Sequence, residues 1–142
     1  MLQVNFNDVR YAVHAALDAA FPDVEIMGEE IKQGLTPPCF FVRFLEPEHM
    51  HLIGRRYMRY HPMVIRYYAV DQTNASMYSM AEDLTRILER ISISGALTKG
   101  TGIRFEIVDG VLHFFVEYNF HVMKPKDPAV KMERIEQEGR LK

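Results

Sequence analysis

After Asn7, apolar side chains return at Val9, Ala12, Val13, Ala16, Leu17 and Ala20, a spacing that gathers them on one face of a helix. Asn7 suits the N-cap, and Phe21-Pro22 ends the helix by denying the backbone its next donor. The stripe is rich in alanine, so this helix can lie close against a sheet. Val24 to Met27 reads as a short strand, and Cys39 to Leu45 as another, with Phe40, Val42 and Phe44 on one side and Phe41, Arg43 and Leu45 on the other. A turn around Gly34 and Pro37-Pro38 separates them. The segment PEHMHLIGRR has no period and reads as a loop. Tyr57 to Val70 then alternates aromatic, basic and aliphatic residues, as expected of a strand interrupted near Pro62.

Asp71 to Ser76 is turn chemistry, and Met77, Met80, Ala81, Leu84, Ile87, Leu88 and Ile91 keep helical spacing over almost four turns. The opposite face carries Glu82, Asp83, Arg86, Glu89 and Arg90; Glu82 and Arg86, like Arg86 and Arg90, are spaced for contact. Thr101 to Met123 reads as a hairpin about Asp109-Gly110, a pair favoured where both turn residues need positive φ. Its second run puts Leu112, Phe114, Val116, Tyr118, Phe120 and Val122 on a core face. The other face (Val111, His113, Phe115, Glu117, Asn119, His121, Met123) is too apolar for plain solvent and too polar for a second core, which suits a subunit contact. The order helix, strands, helix, hairpin predicts an α+β fold: a mixed or antiparallel β-sheet with two amphipathic helices packed on one face and a long C-terminal β-hairpin.

At 142 residues, with 48% hydrophobic side chains, the chain suits one domain, expected over residues 1–123. Residues 124–142 (KPKDPAVKMERIEQEGRLK) are too charged to bury much alone, and are expected to be a tail that is mobile or ordered by a neighbour. A net charge of -2 removes the usual warrant for binding nucleic acid. The single cysteine, Cys39, forbids an internal disulfide, which fits a reducing compartment such as the cytoplasm. No apolar run approaches the roughly 20 residues that span a bilayer, and no export signal is evident, so no membrane partner is expected.

Candidate chemistry is sparse. His49 and His51 would point the same way on a strand, with Glu48 as a possible oxygen ligand, but in a loop their geometry is not fixed; no metal or other cofactor is expected. His113 and His121 are too far apart along one strand to share an ion. Cys39, at the start of an apolar strand, reads as an inert buried thiol. Glu46, Glu106 and Glu117 read as edge charges, and no phosphate loop or dinucleotide fingerprint accompanies them, so no catalytic residues are assigned and the chain is not expected to be an enzyme. Arg55-Arg56-Tyr57-Met58-Arg59-Tyr60-His61 is the one dense basic and aromatic stretch. On a strand its charges split between two faces, which favours contact with protein over contact with DNA.

GLTPPCFFVRFLEP, RRYMRYHPMVIRYYA and TGIRFEIVDGVLHFFVEYNFHV occur in an order and spacing that resemble the tail terminator family of prophages and phage-tail-like particles of Gram-positive bacteria. The resemblance runs from the first helix to the hairpin, and the VDGVLHFFV core is its most specific part. It implies a small α+β subunit that forms a ring, usually hexameric, on the finished tail tube. The ring would block further tube subunits and present a surface to the head-tail connector and, in contractile tails, to the sheath protein. It implies a host-cytoplasmic protein that becomes part of the virion, with DNA only as passing cargo.

The family's function lies in surfaces, so regions rather than catalytic residues carry over: Pro47 to His61, the outer hairpin face and the C-terminal tail. The expected assembly interface is Arg55, Arg56, Tyr57, Arg59, Tyr60, His113, Phe115, Glu117, His121, Val130, Met132 and Ile135. Val130 and Met132, within a Lys-Met-Glu-Arg-Ile alternation, suit a strand added to a neighbour's sheet. The rival readings are another neck or tail-completion ring, or a monomeric ligand-binding or enzymatic domain, which would need a deep pocket lined by Tyr57, Tyr67, Tyr68 and a histidine.

Overall fold

The computed structural model describes residues 4–28 and 36–124, so Val130, Met132, Ile135 and nearly all of the charged tail lie outside the described residues. Helix α1 spans Phe6–Ala20 and buries Val9, Val13 and Leu17. Its N-cap is Asn5 rather than the expected Asn7. Asn5 Oδ1 accepts from the Asp8 N–H at 2.8 Å while Asp8 Oδ2 accepts from the Asn5 N–H at 3.0 Å, a reciprocal box that satisfies two donors at once. The Phe21 N–H donates to Leu17 O, and Pro22 follows, as the sequence predicts.

A five-stranded sheet runs in the order β1 (Glu25–Met27), β2 (Cys39–Phe44), β5 (Pro62–Tyr68), β9 (Val111–Glu117), β8 (Thr101–Val108). Only β1 and β2 are parallel; the other pairs are antiparallel, so the sheet is mixed. Register lines up Phe40, Tyr67 and Leu112, and beside them Val42, Ile65 and Phe114. This face forms one hydrophobic cluster with α1 and with α2 (Asn74–Leu88), which contributes Met77, Ala81, Leu84 and Leu88. On the solvent side of α2, Arg86 pairs with Asp83 at 3.2 Å rather than with Glu82, an exposed contact of little energetic weight.

The second helix ends three residues before the apolar spacing does. Ile91 belongs to β6 (Arg90–Ile93), which pairs with β7 (Ala96–Lys99) in a hairpin that the apolar spacing does not announce. Ile91 and Ile93 are buried at alternate positions, and Ser94 and Gly95 both adopt positive φ, as a two-residue hairpin turn requires. The turn at Asp109-Gly110 has the same form, with φ of 52° and 74°.

The segment expected to be a loop also holds a strand. β3 (Glu48–His51) pairs with β4 (Arg56–Tyr60), and β4 with β10 (Phe120–Met123), as a separate three-stranded sheet. Every residue of β3 is exposed, so no alternation of burial marks it. The run from Val111 to Met123, expected to be one strand, is therefore two: Leu112, Phe114, Val116 and Tyr118 are fully buried, while Phe120 and Val122 are half-buried in the small sheet.

Gly100 sits where β7 meets β8. A Cβ there would lie 2.7 Å from Leu88 O and 2.8 Å from a Val116 methyl. Gly100→Ala is expected to cost about 1–3 kcal/mol by overpacking, read as a lower urea midpoint.

Candidate assembly surface

The two sheets share a ribbon. Register between the strands continues from Arg59 opposite Phe120, through His61 beside Tyr118, to Pro62 opposite Glu117, with no shift. At the junction one rung of the ladder is rewired. The Tyr118 N–H still donates to His61 O at 3.1 Å, but the His61 N–H donates to Asn119 Oδ1 at 3.1 Å, and Tyr118 O instead meets His61 Nδ1 at 2.7 Å, which donates in that tautomer. This exchange breaks the strand at the point where the sequence placed an interruption.

His61 is fully buried, stacked on Phe120 at 4.7 Å and edge-on to Phe6 at 5.5 Å. Burial lowers its pKa to about 4; the nearby Arg59 charge acts in the same direction, and the bond to Tyr118 O opposes both. Tyr118 donates its hydroxyl to Leu88 O at 2.6 Å, and burial pushes its own pKa well up. Arg59, expected at the interface, is half-buried and engaged within the chain. Its guanidinium lies 3.8 Å from the centre of the Phe6 ring, and Nη1 donates to Val4 O at 2.8 Å. It ties the small sheet to the start of α1.

Tyr57 lies on the same side of the small sheet as Arg59. Its ring stacks on His49 at 4.5 Å and meets His51 at 4.7 Å, and Lys124 Nζ approaches the ring at 5.4 Å. His51 Nε2 bonds Gly54 O at 2.8 Å, which commits one of the two ring nitrogens that a metal could take. Among the described residues no group of three or more His, Cys, Asp or Glu side chains could hold a metal ion. Cys39 is buried, and its thiol pKa is raised by burial and by Glu25.

The opposite side of the small sheet is a feature that the residue pattern did not reveal. Register brings Met50, Met58 and His121 into one row, flanked by Tyr60, Arg56 and Met123. Met50 is 46% exposed, and the β3–β4 turn adds Leu52 at 44% and Ile53 at 74%, next to the exposed Arg55. Methionine suits a surface that adapts to a partner. Its sequence signal was only an apolar residue at each of Met50, Leu52 and Ile53 inside a polar run.

His113, Phe115 and Glu117 lie on the outer face of the large sheet, half-buried. Arg104 covers the Phe115 ring at 4.4 Å, and Arg66 approaches the Phe41 ring at 5.6 Å. Burial and Arg66 lower the His113 pKa, with Glu106 opposing. The expected interface residues thus occupy two sheets: Arg55 to Tyr60 and His121 on the small one, the remaining three described ones on the large one. Tyr67 and Tyr68 are far along β5 from Tyr57 on the small sheet.

A family model described as phage tail terminator protein matches residues 8–130. No curated protein matches the chain. One solved structure is similar at 13% identity over 88% of this chain and 99% of its own, with a TM-score of 0.43, too distant a likeness to bear on function.

Protonating His61 favours the unfolded chain, whose histidine accepts a proton near pH 6.5 while the folded one resists to about 4. Stability is therefore expected to be full above about pH 6.5 and to fall by about 3 kcal/mol as pH drops to 4. His61→Asn, which keeps a donor for Tyr118 O but does not titrate, should show a shallower loss in urea melts across that window.

Proposed function

Because the chain belongs to the phage tail terminator protein family, a family of structural proteins of the phage tail, we propose that it forms a ring, hexameric by resemblance to that family, on the end of the completed tail tube. The ring ends tube growth by covering the surface that the next tube subunit would use. Its far side offers a new surface to the head-tail connector and, where the tail is contractile, to the sheath. DNA passes through it as cargo and is not read.

The observation that carries this reading is the small sheet's outer side, with Met50, Met58 and His121 in register, Tyr60 and Met123 beside that row, and Leu52 and Ile53 at its turn. A closed ring needs two different, complementary patches on each subunit. Interfaces are enriched in aromatic residues, methionine and arginine; the small sheet's outer side carries Met50, Met58, Met123, Tyr60 and Arg56, and the large sheet's outer face Arg66, Arg104 and Phe115. Arg66 and Arg104 of the large sheet lie over aromatic rings, an arrangement common where arginine and aromatic side chains meet a partner. A structural role also accounts for the burial of Cys39 and His61, which are packed rather than presented.

Ile53→Asp combined with Met50→Asp should leave folding within about 0.5 kcal/mol of the parent, since both positions are exposed. Light scattering on the parent protein should give a ring mass, and on the double variant a subunit mass. In the producing strain, loss of the gene should yield tubes of unregulated length or tails that fail to join heads. Tails of normal length and attachment would refute the reading.

A further inference from the structure

Among the described residues, two strand edges without a neighbour line one cleft: β7 pairs only with β6, and β10 only with β4. All four residues of β7 and the first three of β10 line a cleft of ≈ 360 Å³, with Val4 and Ile93 adding apolar surface. That is more than ten times the roughly 30 Å³ share of one water in the liquid.

The direction of the free main-chain groups follows from the hydrogen bonds. The Gly100 N–H donates to Glu89 O, and the Lys124 N–H to Arg55 O. Bonded and non-bonded pairs alternate along an antiparallel ladder. The pairs Ser92–Leu97 and Met58–His121, with their next-but-one neighbours, are therefore the non-bonded ones. Leu97 and Lys99 on β7, and His121 and Met123 on β10, turn their N–H and C=O groups away from their own sheets. Open edges of this kind are templates for another strand.

We propose that this cleft receives residues 129–133 of a second copy as an added strand, with Val130 and Met132 toward the apolar lining and Lys131 and Glu133 toward solvent. The inference rests on the ring reading above and names the contact that links its subunits. Three observations select this occupant. The chain beyond Lys124 has 18 residues, 125 to 142, and it follows directly on β10, whose first three residues line the cleft. Its alternation at Ala129-Val130-Lys131-Met132-Glu133 matches an edge with one apolar side and one solvated side. Pro125 and Pro128 each disfavour the helical region for the residue before them, a sequence preference that suits an extended connector. Each copy then offers one donor strand and one acceptor cleft, the unlike pair that head-to-tail closure needs.

The test uses the full chain carrying Leu97→Cys and Met132→Cys; Cys39 is buried and does not compete. Mild oxidation of the assembled protein should give chain-to-chain disulfides, seen as a ladder on denaturing gels. In the parent assembly, amide exchange at His121 and Met123 should be roughly tenfold or more slower than in the full-length Met132→Pro variant, which lacks the strand's donor. A ring that forms without the disulfide and with fast exchange at both amides overturns the inference while leaving the ring reading intact. A disulfide found only within single chains places the segment on its own cleft and overturns it equally. A chain that stays monomeric at every concentration removes the ring reading itself.

Discussion

The rewired rung between His61 and Tyr118 is the constraint on which the arrangement of both sheets depends. An ordinary rung would have carried two main-chain bonds and left the ribbon running straight through a single large sheet. Here one bond is kept, and the two groups freed by losing the other find side-chain partners, Asn119 for the His61 N–H and the imidazole for Tyr118 O. All four main-chain groups of this rung thus remain bonded at a fully buried site, where an unmet donor or acceptor would cost about 1–3 kcal/mol. The Tyr118 hydroxyl extends the same network to the last turn of α2 through Leu88 O. Helix, large sheet and small sheet meet at two residues.

What repeats with a period was readable from the residues alone. The stripe Val9, Val13, Leu17, the stripe Met77, Ala81, Leu84, Leu88 and the alternation Leu112, Phe114, Val116 each report one buried face, and all of them are buried. Turn chemistry was readable at Asp109-Gly110 because both positions needed positive φ. Elements that bury nothing left no such trace. β3 is exposed on both sides, so its four residues look like loop, and β6 carries only Ile91 and Ile93 to signal itself, residues that also continue the preceding helical spacing. Asn5 and Asp8 form a box that their three-residue separation permits, whereas Asn7 has only its residue type in its favour as a cap.

The candidate surface was legible by composition and not by geometry. The arginine and tyrosine run stood out, but strand alternation could not tell that Arg59 turns inward onto Phe6 while Met58 and Tyr60 share a side with Met50 and His121. That distinction depends on β10 pairing with β4 across more than sixty positions of sequence. Long-range pairing leaves no local signature, and the methionines it gathers lie far apart in the chain.

The unbroken register of the ribbon has a mechanical meaning. β4 leads covalently into β5 and β10 emerges from β9, so a pull on the small sheet along its strands travels down two backbones into the centre of the large sheet. Such a load strains the rungs of β5 with β2 and of β9 with β8 in shear, many at once, instead of peeling them one after another from an edge. A chain gripped by its small sheet can therefore bear tension along that axis while its hydrophobic core stays closed.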